Sequence, residues 1–133
     1  MTARPHPLRV AALIAGALLA CTPAAAQDPP RRTPAERQIL TDLAYVLGQA
    51  HALHRLCAGP QDSAWYNRMQ QLMGAETPDP GFRRRLVESF NAGFQAQQAE
   101  FPVCSRASQS AERAAATRGA ALARALAAAH APE

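Results

Sequence analysis

The chain has 133 residues, a formal charge of +4 and fourteen basic residues, every one of them arginine, against ten acidic ones. Two arginines fall in an N-terminal leader, so the remainder is almost balanced and no nucleic-acid partner is expected. The length allows one modest hydrophobic core and excludes a second, and the lack of lysine beside abundant alanine and arginine reflects nucleotide composition rather than guanidinium chemistry.

Residues 1–26 have the three regions of a signal peptide: Arg4 and Arg9, an uncharged apolar run from Val10 to Ala20, and Thr22-Pro23 before Ala24-Ala25-Ala26. The run is about half the ~20 residues that cross a bilayer, and no later stretch is longer or more apolar, so no transmembrane segment is expected in the mature chain. Small residues before Gln27 favour cleavage after Ala26 and a periplasmic product. The alternative is a lipobox, Leu18-Leu19-Ala20-Cys21, with lipidation at Cys21 and a membrane-anchored lipoprotein; leucine directly before the small residue makes it the poorer match. On either reading Cys57 and Cys104 remain as a pair in an oxidising compartment, where a disulfide is the default. Such a bridge would remove on the order of 4 kcal/mol of unfolded-state freedom.

Residues 27–33 form a polar, proline-rich flexible leader, and 34–130 a single helical domain. Thr33-Pro34-Ala35-Glu36 opens helix one with an N-cap, a first-turn proline and a capping box. Ile39, Leu43, Val46, Leu47, Ala50, Leu53 and Cys57 continue it as one apolar stripe until Ala58-Gly59-Pro60. Asp62 or Ser63 caps a second helix with Trp65, Met69, Leu72 and Met73 on one side, ending near Gly74. The turn Thr77-Pro78-Asp79-Pro80-Gly81 caps a third, which sets Phe82, Leu86, Phe90, Phe94 and Phe101 on one face and Arg83, Arg84 and Arg85 mostly on the other. After Pro102, a last helix from about Arg106 to Ala129 presents Ala111, Ala115, Gly119, Leu122 and Leu126 inward. No stretch alternates with period two. The fold class is all-α, a compact array of about four helices stapled by one disulfide.

Nothing in this pattern specifies catalysis. His51 and His54 have a metal-compatible spacing but no third ligand in register, so no metal is expected. Cys57 and Cys104 lack the Cys-x-x-Cys arrangement of redox centres, and nucleophile elbows, phosphate loops and cofactor motifs are absent; no catalytic residue and no cofactor is assigned. Asparagine and glycine are poor helix-interior residues, so Phe90-Asn91-Ala92-Gly93-Phe94 suggests a compensating use: Gly93 for close helix approach, Asn91 for a buried carbonyl or a shallow pocket. Glu76, before the proline turn, would anchor an arginine such as Arg85. Trp65 is core unless exposed, when it would serve as a recognition anchor.

Taken together, Leu47-Gly48-x-x-His51-x-Leu53-x-x-Leu56-Cys57, Trp65-x-x-Arg68-Met69, Glu76-x-Pro78, Phe90-Asn91-x-Gly93-Phe94 and Cys104 resemble a small family of exported alphaproteobacterial proteins known only as a domain of unknown function. The resemblance covers roughly Leu40 to Leu126 and implies an exported, all-helical, disulfide-bearing envelope protein. It supplies no activity or cofactor; His51, Arg68, Glu76 and Asn91 belong to a shared surface or network.

The expectation is an exported periplasmic helical module, read as a binder of an envelope partner in preference to an enzyme, whose surface is the junction of helices one, two and three with His51, Trp65, Arg68, Glu76, Arg85 and Asn91 as binding residues. The rival is a small enzyme or ligand carrier with His51 and Glu76 in one pocket. A third reading is a structural lipoprotein tethered through Cys21.

Overall fold

A computed structural model describes residues 31–130, so the cleavage and lipidation readings, Cys21 among them, lie outside the described residues. Four helices, α1 (Pro34–Ala58), α2 (Ala64–Glu76), α3 (Pro80–Glu100) and α4 (Arg106–Ala129), account for the regular structure, with no strand among the described residues. The connections are short, so successive helices run in opposite directions. Pairings along α1 agree: Ser89 donates to the Thr41 carbonyl and Gly93 faces Tyr45, a parallel sense for α3, whereas Gln49 meets Arg118 and His54 meets Glu112, an antiparallel sense for α4.

Helix α1 begins with the expected capping box: Thr33 Oγ1 accepts from the Glu36 amide at 3.2 Å, and Glu36 Oε2 accepts from the Thr33 amide at 2.8 Å. Helix α3 starts on Asp79, which accepts from the Phe82 amide at 2.9 Å, and α4 on a Ser105–Ser108 box. Helix α2 runs past Gly74 to Glu76. A helical glycine facing open space costs only about 1 kcal/mol relative to alanine and does not end a helix. The stop comes at Thr77, whose left-handed φ of 39° is followed by Pro78. Phe101 is the extended C-cap of α3 rather than part of its helical face.

The other three helices pack around α1. Its apolar stripe broadens into burial on nearly every side from Leu43 to Leu53, while the stripe's ends, Ile39 and Cys57, are half-buried and exposed. Small residues make this possible: Ala44, Gly48, Ala50 and Ala52 leave room for neighbours to approach from several directions. The main core gathers Leu40, Leu43, Ala44 and Leu47 of α1 with Met69 and Met73 of α2 and Phe82, Leu86 and Phe90 of α3. Fully burying an aliphatic side chain such as Leu40, Leu53 or Leu86 contributes about 1.5–3 kcal/mol. Helix α4 adds a smaller cluster, Ala115 against Val46 and Ala50.

Two glycines set the α1–α3 crossing. A Cβ on Gly48 would run into the Phe90 carbonyl and lie 3.0 Å from the Phe94 nitrogen; one on Gly93 would run into the Tyr45 carbonyl and lie 3.2 Å from the Gln49 nitrogen. Backbone thus packs on backbone, which is the close approach that Gly93 suggests in sequence. The Cys57–Cys104 disulfide, Cα atoms 5.0 Å apart, ties the end of α1 to the loop before α4.

Candidate functional site

The expected binding residues separate into several environments. Glu76 is a strut. Its carboxylate receives both Arg32 Nε and Nη2 at 2.8 Å, and Arg32 Nη1 reaches Glu36 Oε1 at 3.0 Å, joining the end of α2 to the start of α1. Its partner is therefore Arg32, from the segment read as leader, and not Arg85, which is exposed on α3. The Glu76 hydrogen bond, aided by Glu36, raises the Arg32 pKa. Glu36 is held down to about 2 by the Thr33 amide, with the Thr33 hydroxyl and Arg32 assisting.

His51 is elsewhere. Glu36 and Glu76 share Arg32, and fifteen residues of helix at 1.5 Å each put His51 about 22 Å further along α1. The two share no cleft among those described, so the acid–base pocket pairing His51 with Glu76 is not assembled. His51 is 7 % exposed, with the rings of Phe94, Phe90 and Tyr66 at 5.5, 5.7 and 6.1 Å, and its Nδ1 has no hydrogen-bond partner. Burial, followed by the Arg55 charge, lowers its pKa, so the ring is neutral at pH 7. Asn91 is exposed and lines a shallow depression with Tyr66, Met69 and Val87 between α2 and α3, the pocket-lining alternative expected for it.

Trp65 and Arg68 do come together, but toward α4 rather than α3. Helix α2 buries only Met69 and Met73, and α4 only Ser108 and Ala115, because alanine gives α4 too little bulk to close against α2. An apolar groove of about 450 Å³ remains between them. Leu43 and Leu47 form its floor, Trp65, Arg68, Leu72 and Ala75 one wall, and Ala116, Gly119, Ala120 and Ala123 the other. The Arg68 guanidinium lies 5.0 Å from the Trp65 ring centre, within cation–π range.

A polar cluster that the sequence reading misses closes one end. Glu112 Oε1 lies 2.7 Å from His54 Nδ1 and accepts from Trp65 Nε1 at 3.2 Å, while His54 Nε2 lies 3.5 Å from Asp62 Oδ2. The disulfide carried the signal: with Cys57 beside Cys104 and α4 returning antiparallel, Glu112 falls next to His54 about one turn before the bridge. The cluster orients the indole and pins α1, α2 and α4 together. No group of three or more His, Cys, Asp or Glu side chains among the described residues is arranged to hold a metal, and no described helix is long and apolar enough to cross a membrane.

The groove thus combines a half-buried tryptophan, a cation at the rim and an apolar trough. No curated protein and no solved structure matches the chain. A family model described as "Protein of unknown function (DUF2385)" matches residues 34–130, the four helices and the bridge together. The chain therefore belongs to this family of unknown function, DUF2385.

Proposed function

We propose that the protein is an exported helical binding module of the cell envelope, which takes an apolar helical segment of a partner protein into the groove between α2 and α4. The observation that carries this reading is the unfilled apolar trough with Trp65 at its end and Arg68 on its rim. Its α4 wall consists of alanine and glycine, so a partner helix can approach closely, its aliphatic side chains reaching Leu43 and Leu47 in the helix-in-groove mode. Arg68 selects a partner with an acidic residue at the groove's mouth, since guanidinium and carboxylate pair as a fork. Export is supported by the leader composition of residues 1–26 and by the bridged cysteines.

A photo-crosslinking amino acid placed at Gln71, on the groove, or at Arg84, on exposed α3, tests the surface. A discrete adduct from position 71, absent from position 84 and lost in Ala120→Arg, is expected. Identical labelling from both positions would refute the groove. Intact mass of the protein from fractionated cells tests export: an N-terminus at Gln27 in the periplasm is expected, a lipidated Cys21 would establish the tethered form, and an unprocessed cytoplasmic chain would overturn export.

A further inference from the structure

A second cavity, of about 250 Å³, lies on the opposite side of α1, between its C-terminal turns and those of α3. Arg55, Gln97 and Gln98 supply its polar lining, Phe94, Phe101 and Pro60 much of the rest, and no Asp or Glu lines it. Arg55 Nε is buried without a hydrogen-bond partner among the described residues. Gln97 is only 9 % exposed and turns its side chain to the same cavity lining. A buried charged donor left unpaired is costly, and the group is poised to take up an acceptor that enters the cavity. A place near the C-terminal end of α1 is electrostatically favourable for Arg55, but it leaves the Nε hydrogen bond unmade.

We propose that this cavity binds a small monocarboxylate with an apolar body. The Arg55 fork receives the two carboxylate oxygens, for which its planar donors are matched, and the Gln97 amide donates a further hydrogen bond. The apolar body rests against Phe94, whose ring centre is 5.8 Å from the guanidinium carbon, and under Phe101. The volume equals that of roughly eight waters, which limits the ligand to about that many non-hydrogen atoms. Phe101 sits three residues before Cys104, so the disulfide holds this side of the cavity in place. The site is separate from the α2–α4 groove, shares no lining residue with it, and does not depend on that reading.

The test is titration of the disulfide-bonded protein with acetate, butyrate and benzoate, followed by the nitrogen and proton shifts of the Arg55 Nε and Gln97 amide groups. Saturable shifts that strengthen from acetate to benzoate are expected, with benzamide, the neutral analogue, at least tenfold weaker and inorganic phosphate weaker than benzoate. Arg55→Gln should lose at least tenfold for every carboxylate. Arg55→Lys, which keeps charge without the fork, should be intermediate, and Phe101→Ala should weaken benzoate but not acetate. Absence of saturation by all three carboxylates, equal binding of benzoate and benzamide, or a phosphate preference would overturn the proposal; these comparisons need no variant and so hold even if Arg55→Gln fails to fold.

Discussion

Gly93→Ala and Gly74→Ala make the same chemical change in helix interiors, and the tertiary structure predicts opposite results. Each gains about 1 kcal/mol of intrinsic helix propensity. At Gly74 nothing lies within 4 Å of the added methyl, so that gain should appear almost whole. At Gly93 the methyl meets the Tyr45 carbonyl, which belongs to the backbone of the central helix and cannot rotate away. Relief requires α1 and α3 to separate along a contact that also seats Gly48 on Phe90. Overpacking of this sort costs typically 1–3 kcal/mol and more when backbone must shift, and separation also loosens the Leu47–Phe90 part of the core. The expected net effect is a loss of about 2–3 kcal/mol for Gly93→Ala, or about 10–20 °C in Tm for a domain of this size, against a rise of several degrees for Gly74→Ala. Urea titration of the oxidised proteins, monitored by far-ultraviolet circular dichroism, measures both. A Gly93→Ala protein as stable as the parent would show that the crossing is not held by backbone contact.

Acid stability depends on Glu36. Its folded-state carboxyl titrates near 2 instead of 4.5, so as pH falls through that window the unfolded chain takes up a proton that the folded protein refuses, and stability declines. Glu36→Gln should be less stable at pH 7 and show a shallower decline between pH 5 and 2, read from urea midpoints; an unchanged slope would refute the assignment. Neutral, buried His51 adds an earlier loss below pH 6.5, absent in His51→Phe. Opening the 47-residue separation between Cys57 and Cys104 by paired serine substitution should cost about 4 kcal/mol, measured by denaturant titration, and a cost under 1 would refute the loop-closure account. Glu112→Ala removes the acceptor shared by His54 and Trp65; a loss of about 1–2 kcal/mol and a changed emission from the chain's single tryptophan are expected, and unaltered emission would argue against that hydrogen bond.

Helix positions were legible because their signals are local. Thr33 with Glu36, Asp79 before Pro80, and Ser105 satisfy orphan amides within three residues, so the chain's order alone announces them. The bridge was legible from the parity of Cys57 and Cys104 and the expectation of export, and Gly93 from its cost in a helix. Only packing decided the rest. Arg32 and Glu76 are 44 residues apart, and Glu112 and His54 are 58 apart; no periodicity links them, because partner choice follows from how helices rotate about α1. That rotation turned Trp65 toward α4, moved Glu76 away from His51, and left Arg55 and Gln97 facing one cavity from two helices. The sequence by itself determined which segments coil and, apart from the last turn of α2, where they stop, through caps, prolines and spacing. Tertiary structure alone decided which faces meet and which stay unfilled, because groove and cavity are set by the summed volumes of side chains from several helices, and alanine-rich α4 supplies too little volume to close the groove against α2.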